Sequence, residues 1–141
     1  TLIDYGRNVP KANSAIEKEI RSRSSKPAGE LNKSDLEKIK KIDFKGNNHG
    51  ISDLAPFTKL TQLTNLDARN NPITDLTPLK KLKQLTNLDF RGCNITDLSP
   101  LTELKKLEVV WVQGNEGLTK SEVEKLQKAF PKCEIKHDAK N

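Results

Sequence analysis

The chain contains few of the residues on which several classes of protein depend. Its 141 residues include two cysteines, no methionine and only six aromatic residues. Two cysteines form at most one disulfide, which excludes a scaffold held together by disulfides. Cys93 and Cys133 have no partner at zinc-ligand spacing, and His49 and His137 each stand alone. The sequence therefore predicts neither a bound metal nor a cofactor.

Long apolar segments are also missing. No apolar run approaches the roughly 18 residues that a membrane helix requires, so we predict no transmembrane segment. The first residues, TLIDYGRN, do not have the pattern of a signal peptide or a transit peptide. A hydrophobic content of 33% is low for a compact globule and suits an elongated unit in which each segment contacts its neighbours. The length predicts a single folded unit.

The positive charge of the chain is spread thinly. The formal net charge is +6, but basic against acidic residues number 7 and 5 in residues 1–35, 12 and 9 in 36–115, and 6 and 5 in 116–141. Proteins that follow a phosphate backbone concentrate positive charge on one face, often beside stacking aromatic residues. We therefore do not expect a nucleic-acid partner.

Signatures of catalysis are missing as well. The sequence contains no glycine-rich phosphate loop, no nucleophile elbow, no HExxH and no kinase motif. Its aspartates fall at repeated positions, where a structural role explains them. We therefore predict that the chain is not an enzyme.

What the sequence does contain is a repeat. LTNLDARNNPITDLTPL, residues 63–79, returns as LTNLDFRGCNITDLSPL, residues 85–101, with an offset of 22 residues. A modified copy precedes these two and carries two extra residues in GNNHGI, and another follows them and departs from the pattern in NEGLT. Four coils are thus predicted. A repeated unit places the same residues at regular intervals along a surface, which favours binding over catalysis.

Each copy contains a short strand followed by a polar turn. Leu66 and Ala68 alternate with polar residues, which indicates a strand with one buried face, and equivalent strands 22 residues apart stack in parallel. A short polar residue follows each strand and is expected to bond the unpaired backbone of an adjacent turn. The residues of this predicted structural ladder are Asn47, Asn71, Cys93 and Asn115. Asp53, Asp75 and Asp97 are expected to cap the convex segments.

These repeats resemble the leucine-rich repeat. The pattern N-x-I-x-D-L-x-P-L is similar to the 22-residue class of bacterial internalin-type proteins and of a eukaryotic phosphatase-regulating relative. The resemblance implies an α/β fold, a right-handed solenoid with a short parallel sheet on its concave face and helical caps at both ends. It also implies that cysteine at position 93 is an allowed substitute in the ladder. An extracytoplasmic location is implied too, with a cytoplasmic one as the alternative.

The flanking segments are predicted to form the caps. We divide the chain into an N-terminal tail and helical cap at 1–35, repeats at 36–118, and a C-terminal helix, closing strand and tail at 119–141. Ala12, Ile16 and Ile20 form an apolar stripe of a first helix. Ser34 with Glu37, and Ser121 with Glu124, are expected to form capping boxes of later helices. Residues 133–135 predict the closing strand, and residues 137–141 a frayed tail.

The outward strand positions are the candidate site. The resemblance implies that these side chains line the concave face in two columns. The predicted partner-binding residues are Asp43, Lys45, Asp67, Arg69, Asp89, Arg91, Trp111 and Gln113. Trp111 is the only tryptophan, and tryptophan with arginine is the pairing most enriched in binding hot spots. We expect a protein partner on this face and a monomeric chain.

Two other functions stay open. The unit could be a structural spacer or end domain of a larger secreted protein, in which case the charged columns only offset one another. Alternatively, convex lysines could bind an anionic surface weakly. The lysines concerned are Lys80, Lys81, Lys83, Lys105 and Lys106.

Overall fold

A computed structural model describes residues 11–141, with side chains from residue 14 onward. The N-terminal tail that the sequence predicts, and the side chain of Ala12, lie outside the described residues. The helices are α1 (Lys11–Ser24), α2 (Lys33–Glu37) and α3 (Lys120–Ala129). The strands are β1 (Lys41–Asp43), β2 (Asn65–Asp67), β3 (Asn87–Asp89), β4 (Val109–Trp111) and β5 (Glu134–Lys136). Three short 3₁₀ helices of the described residues lie on the convex side, opposite the strands, at Ala55–Phe57, Thr77–Leu79 and Ser99–Glu103.

The five strands form one parallel sheet in chain order. The register pairs equivalent positions of successive copies, so that Leu66 lies beside Leu88 and Leu88 beside Val110. These inward side chains are buried in one core with the leucines of the convex segments, among them Leu79 and Leu101. The predicted α/β solenoid with four coils is confirmed, and a fifth strand from the C-terminal cap completes its sheet.

A sharp turn follows each strand and starts the crossing to the convex side. Gly92 stands in the turn after β3 with φ of +67°, a conformation that glycine adopts at little cost. A Cβ placed there would approach Asn70 Oδ1 to 2.4 Å, because the turns of neighbouring coils stack closely. Asn70 itself donates a hydrogen bond to the Gly46 carbonyl in the turn of the preceding coil.

Side chains in the ladder satisfy the backbone of these turns. Asn71 is buried, and its Oδ1 accepts hydrogen bonds from the backbone N–H groups of His49 and Ile51, 3.0 and 3.1 Å away. Its Nδ2 donates to the carbonyls of Ala68 and Arg69. Asn115 accepts from the Ile95 N–H and donates to the Phe90 and Val112 carbonyls.

The prediction for the ladder is wrong at its first member. Asn47 is exposed, whereas Cys93 is buried with its thiol 3.6 Å from the Ala68 carbonyl. Asn71 and Asn115 both bond to backbone of the coil before their own. Asn47 belongs to the first coil, which follows a helix instead of another coil, so no turn backbone stands where this side chain would bond.

The helix caps differ from the prediction by two residues. Asn32, and not Ser34, caps α2: its side chain accepts from the Asp35 N–H, and the Asp35 carboxylate accepts from the Asn32 N–H. Thr119, and not Ser121, caps α3 by accepting from the Glu122 N–H. Both serines are exposed.

The aspartates that open the convex segments cap them as predicted. Asp53, Asp75 and Asp97 accept hydrogen bonds of 2.8–2.9 Å from the N–H two residues later. Hydrogen bonds from the side chain and backbone of Thr77 lower the pKa of Asp75. Those from Ser99 lower the pKa of Asp97.

The two ends of the sheet are covered differently. At one end α1 packs on β1 through the buried Ile16 and Ile20. At the other end, β5 pairs with β4. This strand begins one residue later than predicted, and the tail after it is not frayed. The Asp138 carboxylate accepts from the Gly114 N–H, and Lys140 pairs with Thr119.

The division into 1–35, 36–118 and 119–141 stays a prediction. Its first boundary falls inside α2, Lys33–Glu37. In residues 11–141 no helix combines the length and the apolar character needed to cross a bilayer.

Candidate protein-binding face

The register of the sheet assembles the predicted columns. Asp43, Asp67, Asp89 and Trp111 are successive neighbours across β1 to β4. The column continues to Lys136 in β5, which was not among the predicted residues. Lys136 stands 25 residues after Trp111 and so departs from the 22-residue period. The alternation in the segment EIK was the available signal. Each of the four predicted members of this column is followed, two residues later, by a member of the second predicted column. The second column consists of Lys45, Arg69, Arg91 and Gln113.

Asp89 is the most buried carboxylate of the column, and an arginine fork holds it. Its side chain is 10% exposed. Arg91 Nη2 lies 2.6 Å from Asp89 Oδ2, and Arg91 Nε lies 2.9 Å from Oδ1. The hydrogen bond to Asp89 raises the pKa of the Arg91 guanidinium further above its ordinary value. Such a bidentate pair fixes the orientation of both side chains.

Trp111 lies beside this pair. Its ring is half-buried, and the Arg91 guanidinium carbon lies 6.0 Å from the ring centroid, within the range of a cation–π contact. The C-terminal cap places Lys136 at the next position across the sheet, where it pairs with Glu134. The cap therefore flanks the indole and leaves part of it accessible.

Asp67 has a different electrostatic environment. Burial raises the pKa of its carboxyl, against the hydrogen bond from the Arg69 N–H, and the nearby charge of Asp89 raises it further. The Arg69 guanidinium lies 3.2 Å from Asp67 and 3.8 Å from Asp89. Arg69 thus connects two carboxylates of the column and leaves its buried Nε without a hydrogen-bond partner in the described residues.

A third column of outward residues was not predicted as part of the site. Asn65 and Asn87 are register neighbours at the start of β2 and β3. Each amide oxygen lies 2.8 Å from the hydroxyl of the threonine before it, Thr64 or Thr86. The repeated sequence TNLD contained the signal, because its asparagine alternates with the buried leucine in the same way as its aspartate.

The columns enclose a shallow depression of about 220 Å³. Its lining includes Lys41, the two asparagines, the three aspartates of the column, Arg91 and Trp111. A second depression, of about 320 Å³, lies between α1 and the turn after β1. Asp43 lines both, so the two are adjacent. Lys45 and His49 line the second one, and Gln113 stands half-buried beyond Trp111 with an unpartnered Oε1 among the described residues.

The titratable groups on and behind this face include ion-paired side chains and buried thiols. In residues 14–141 no group of three or more His, Cys, Asp or Glu side chains is arranged to hold a metal ion. Cys93 and Cys133 are free and buried, and burial raises the pKa of both thiols, which disfavours the reactive thiolate. The carboxylates and guanidiniums form a network with partly exposed edges, suited to pairing with polar groups of another molecule.

Comparison with known proteins gives the family. The leucine-rich repeat family, described as Leucine Rich repeats (2 copies), matches residues 31–81 and 83–127. The chain belongs to the leucine-rich repeat family. A search of curated proteins found no match.

Solved structures with the same leucine-rich repeat fold include two internalins of Listeria monocytogenes. Internalin InlF superposes with a TM-score of 0.74 at 21% identity, over 95% of this chain and 47% of that one. Internalin C2 gives 0.71 at 16% identity, over 99% and 72%. A leucine-rich repeat protein of Leptospira interrogans gives 0.61 at 24% identity, over 74% and 27%. The chain spans about half the length of InlF. The fold is therefore that of internalin-type repeat domains, as the sequence resemblance predicted.

The convex lysines of this repeat domain are exposed, and most contact their own chain. Lys83 lies 3.6 Å from the Glu103 carboxylate, and Lys106 donates to Gln84 Oε1. Lys105 donates to the Thr102 carbonyl and stands 5.5 Å from the centroid of the Phe130 ring.

Proposed function

We propose that this leucine-rich repeat domain is a non-enzymatic module that binds a protein partner on its concave face. The binding centre consists of Trp111, Arg91, Asp89, Arg69 and Asp67. Membership of the family supports a protein partner in general. The observation that supports this particular centre is the half-buried Trp111 beside the Asp89–Arg91 pair, at the wall of the 220 Å³ depression.

Charge balance within the sheet explains part of this face without a partner. Asp67, Asp89, Arg69 and Arg91 offset one another, and a partly exposed pair such as Asp67 with Arg69 contributes about 0 to 1 kcal/mol. Charge balance does not explain Trp111, whose large ring could be replaced by a polar residue at an outward strand position. Aromatic and arginine anchors held in fixed orientations reduce the entropy lost on binding.

The alternatives receive less support from the geometry. A spacer has no need of a partly accessible tryptophan held against an arginine. For an anionic surface, Lys83, Lys105 and Lys106 are engaged by neighbouring groups, which leaves Lys80 and Lys81 as the unengaged convex pair in the described structure. An extracytoplasmic location belongs to the same proposal, supported by the resemblance to internalin-type proteins, and fractionation of the source cells tests it.

The test is capture of partners from lysate and envelope fractions by the native domain and by Trp111→Ala. We expect the partner's affinity to fall by about 30-fold or more, which corresponds to about 2 kcal/mol for the loss of a hot-spot side chain. Urea unfolding of both proteins verifies that the variant is folded under the capture conditions.

The matched control is Lys80→Glu with Lys81→Glu on the convex side. Retention of the partner by this control and its loss from Trp111→Ala support the concave face. Loss from the control alone would move the function to the convex lysines. Equal retention by all three proteins would contradict the proposed centre.

A further inference from the structure

The concave face is electrically uneven from one end to the other. At β2 and β3 the acidic and basic residues are paired, with Asp67 on Arg69 and Asp89 on Arg91. At β4 the outward residues Val109, Trp111 and Gln113 carry no charge.

The end beside α1 is different because its lysines are unpaired. Lys18, Lys41 and Lys45 are exposed, and none forms an ion pair within the described part of the chain. Lys18 and Lys45 line the depression against α1, and Lys41 lines the one on the sheet.

The acidic groups at this end are engaged by their own chain. Asp43 Oδ1 accepts a 2.7 Å hydrogen bond from the Lys45 N–H. Glu19 pairs with Arg23 at 2.7 Å and also accepts from the Asp43 N–H. Three lysines without ion pairs therefore line two adjacent depressions, where Glu19 is paired with Arg23 and Asp43 is the one lining carboxylate without an ion pair among the described residues. This arrangement favours added negative charge.

On these grounds we propose that the partner presents an extended acidic peptide segment to the concave face, an inference that rests on the proposed function. Carboxylates of the segment lie at Lys41, Lys45 and Lys18, and an apolar side chain lies on Trp111. The amides of Asn65 and Asn87, each with one polar atom at a threonine hydroxyl, present the other to the polar main chain of the segment.

The spacing of the two anchors defines the length of the segment. From β1 to β4 there are three strand spacings of about 4.8 Å, or about 14 Å. An extended chain advances about 3.4 Å per residue, so the acidic and apolar residues stand about four positions apart. The network of carboxylates between the anchors disfavours a phosphate backbone, which carries charge at every nucleotide.

The test is selection of random 12-residue peptides, displayed on phage, on the immobilised domain. We expect selected peptides to carry one or two acidic residues about four positions from an apolar residue, in either chain direction. Binding of a synthetic selected peptide should fall at least about tenfold in Lys41→Glu with Lys45→Glu. It should change little in Lys80→Glu with Lys81→Glu, which alters the net charge equally. A peptide with lysines in place of its acidic residues should regain affinity for the Lys41→Glu, Lys45→Glu domain.

The outcomes distinguish failure of the acidic-segment inference from failure of the proposed concave-face function. Peptides that lack acidic residues but lose binding in Trp111→Ala would overturn the acidic segment and leave the concave-face function standing. Peptides retained by Trp111→Ala and by the charge-reversed domain would contradict both. A selection that yields no peptide would overturn the inference, as would preferential binding of a 12-nucleotide single-stranded DNA.

Discussion

The first coil and the second coil use the same asparagine differently. Asn71 is buried and makes four hydrogen bonds to backbone, whereas Asn47, at the equivalent position, is exposed. The difference lies in what precedes each coil. Asn71 Oδ1 accepts hydrogen bonds from the His49 and Ile51 N–H groups in the turn of coil one, whereas the coil that contains Asn47 is preceded by helix α2 and not by another coil. A repeated residue therefore gains its structural role from its neighbour, which is the behaviour of a one-dimensional stack.

The largest effect is expected from removal of the buried ladder amide. Asn71→Ala leaves buried N–H and C=O groups without partners and should lower the free energy of unfolding by about 3 kcal/mol. Asn47→Ala is the matched control and should change it by less than about 0.5 kcal/mol. Urea unfolding measures both. Equal costs at the two positions would refute the view that the preceding coil defines the role of the asparagine.

The turns after the strands provide a second comparison. Gly92→Ala puts a Cβ 2.4 Å from Asn70 Oδ1 at a φ of +67° and should destabilise the domain by about 2 kcal/mol. Gly50→Ala, at φ of +70° with open space around it in the inserted turn of coil one, should cost about 1 kcal/mol from backbone strain alone. Thermal unfolding of the two variants gives the difference, and a reversed order would mean that the stacked turns yield more easily than the structure indicates.

The two helix N-caps can be compared with the serines that the sequence predicted in their place. Thr119→Ala and Asn32→Ala should each lower stability by about 1 kcal/mol, because each removes a side-chain acceptor from a helix N-terminus. Ser121→Ala and Ser34→Ala are the controls and should be close to neutral. Denaturant midpoints of the four variants decide the matter, and a larger loss at the serines would support the sequence-based assignment of the caps.

The sequence predicted those parts of the fold that follow the period. A 22-residue offset fixes which residues of β2, β3 and β4 are neighbours, so the column Asp67, Asp89, Trp111 was predictable. The register of Lys136 with Trp111 was not, because β5 lies outside the period and the alternation in EIK indicates only which of its residues face outward. The binding role of the columns remains a proposal.

Local patterns were a weaker guide where two of them competed. Asn32 with Asp35 and Ser34 with Glu37 both have the spacing of a capping box, and in the structure the first pair forms the reciprocal hydrogen bonds. Thr119 with Glu122 and Ser121 with Glu124 also share one spacing, and in the structure Thr119 is the N-cap. The choice of partners by Arg69, between Asp67 and Asp89, depends on side-chain orientations that spacing does not encode.

The smallest expected effect again separates coil one from the interior coils. Asp75 accepts from the Thr77 N–H, and hydrogen bonds from Thr77, side chain and backbone, lower the pKa of Asp75, whereas Asp53 faces Ala55, which has no hydroxyl. A lowered pKa in the folded state means that the ionised carboxylate stabilises the fold above the unfolded value of 3.8, and that this contribution disappears as the pH falls through the folded value.

Asp75→Asn should therefore cost less than about 1 kcal/mol at neutral pH, since the group is solvent-exposed, and nothing at a pH well below 3.8. Asp53→Asn should cost less than Asp75→Asn at neutral pH. Urea unfolding at the two pH values measures each pair. A cost for Asp75→Asn that persists in acid would show that the loss comes from amide geometry and not from charge. The difference between the coils would then lie in packing instead of in the Thr77 hydroxyl.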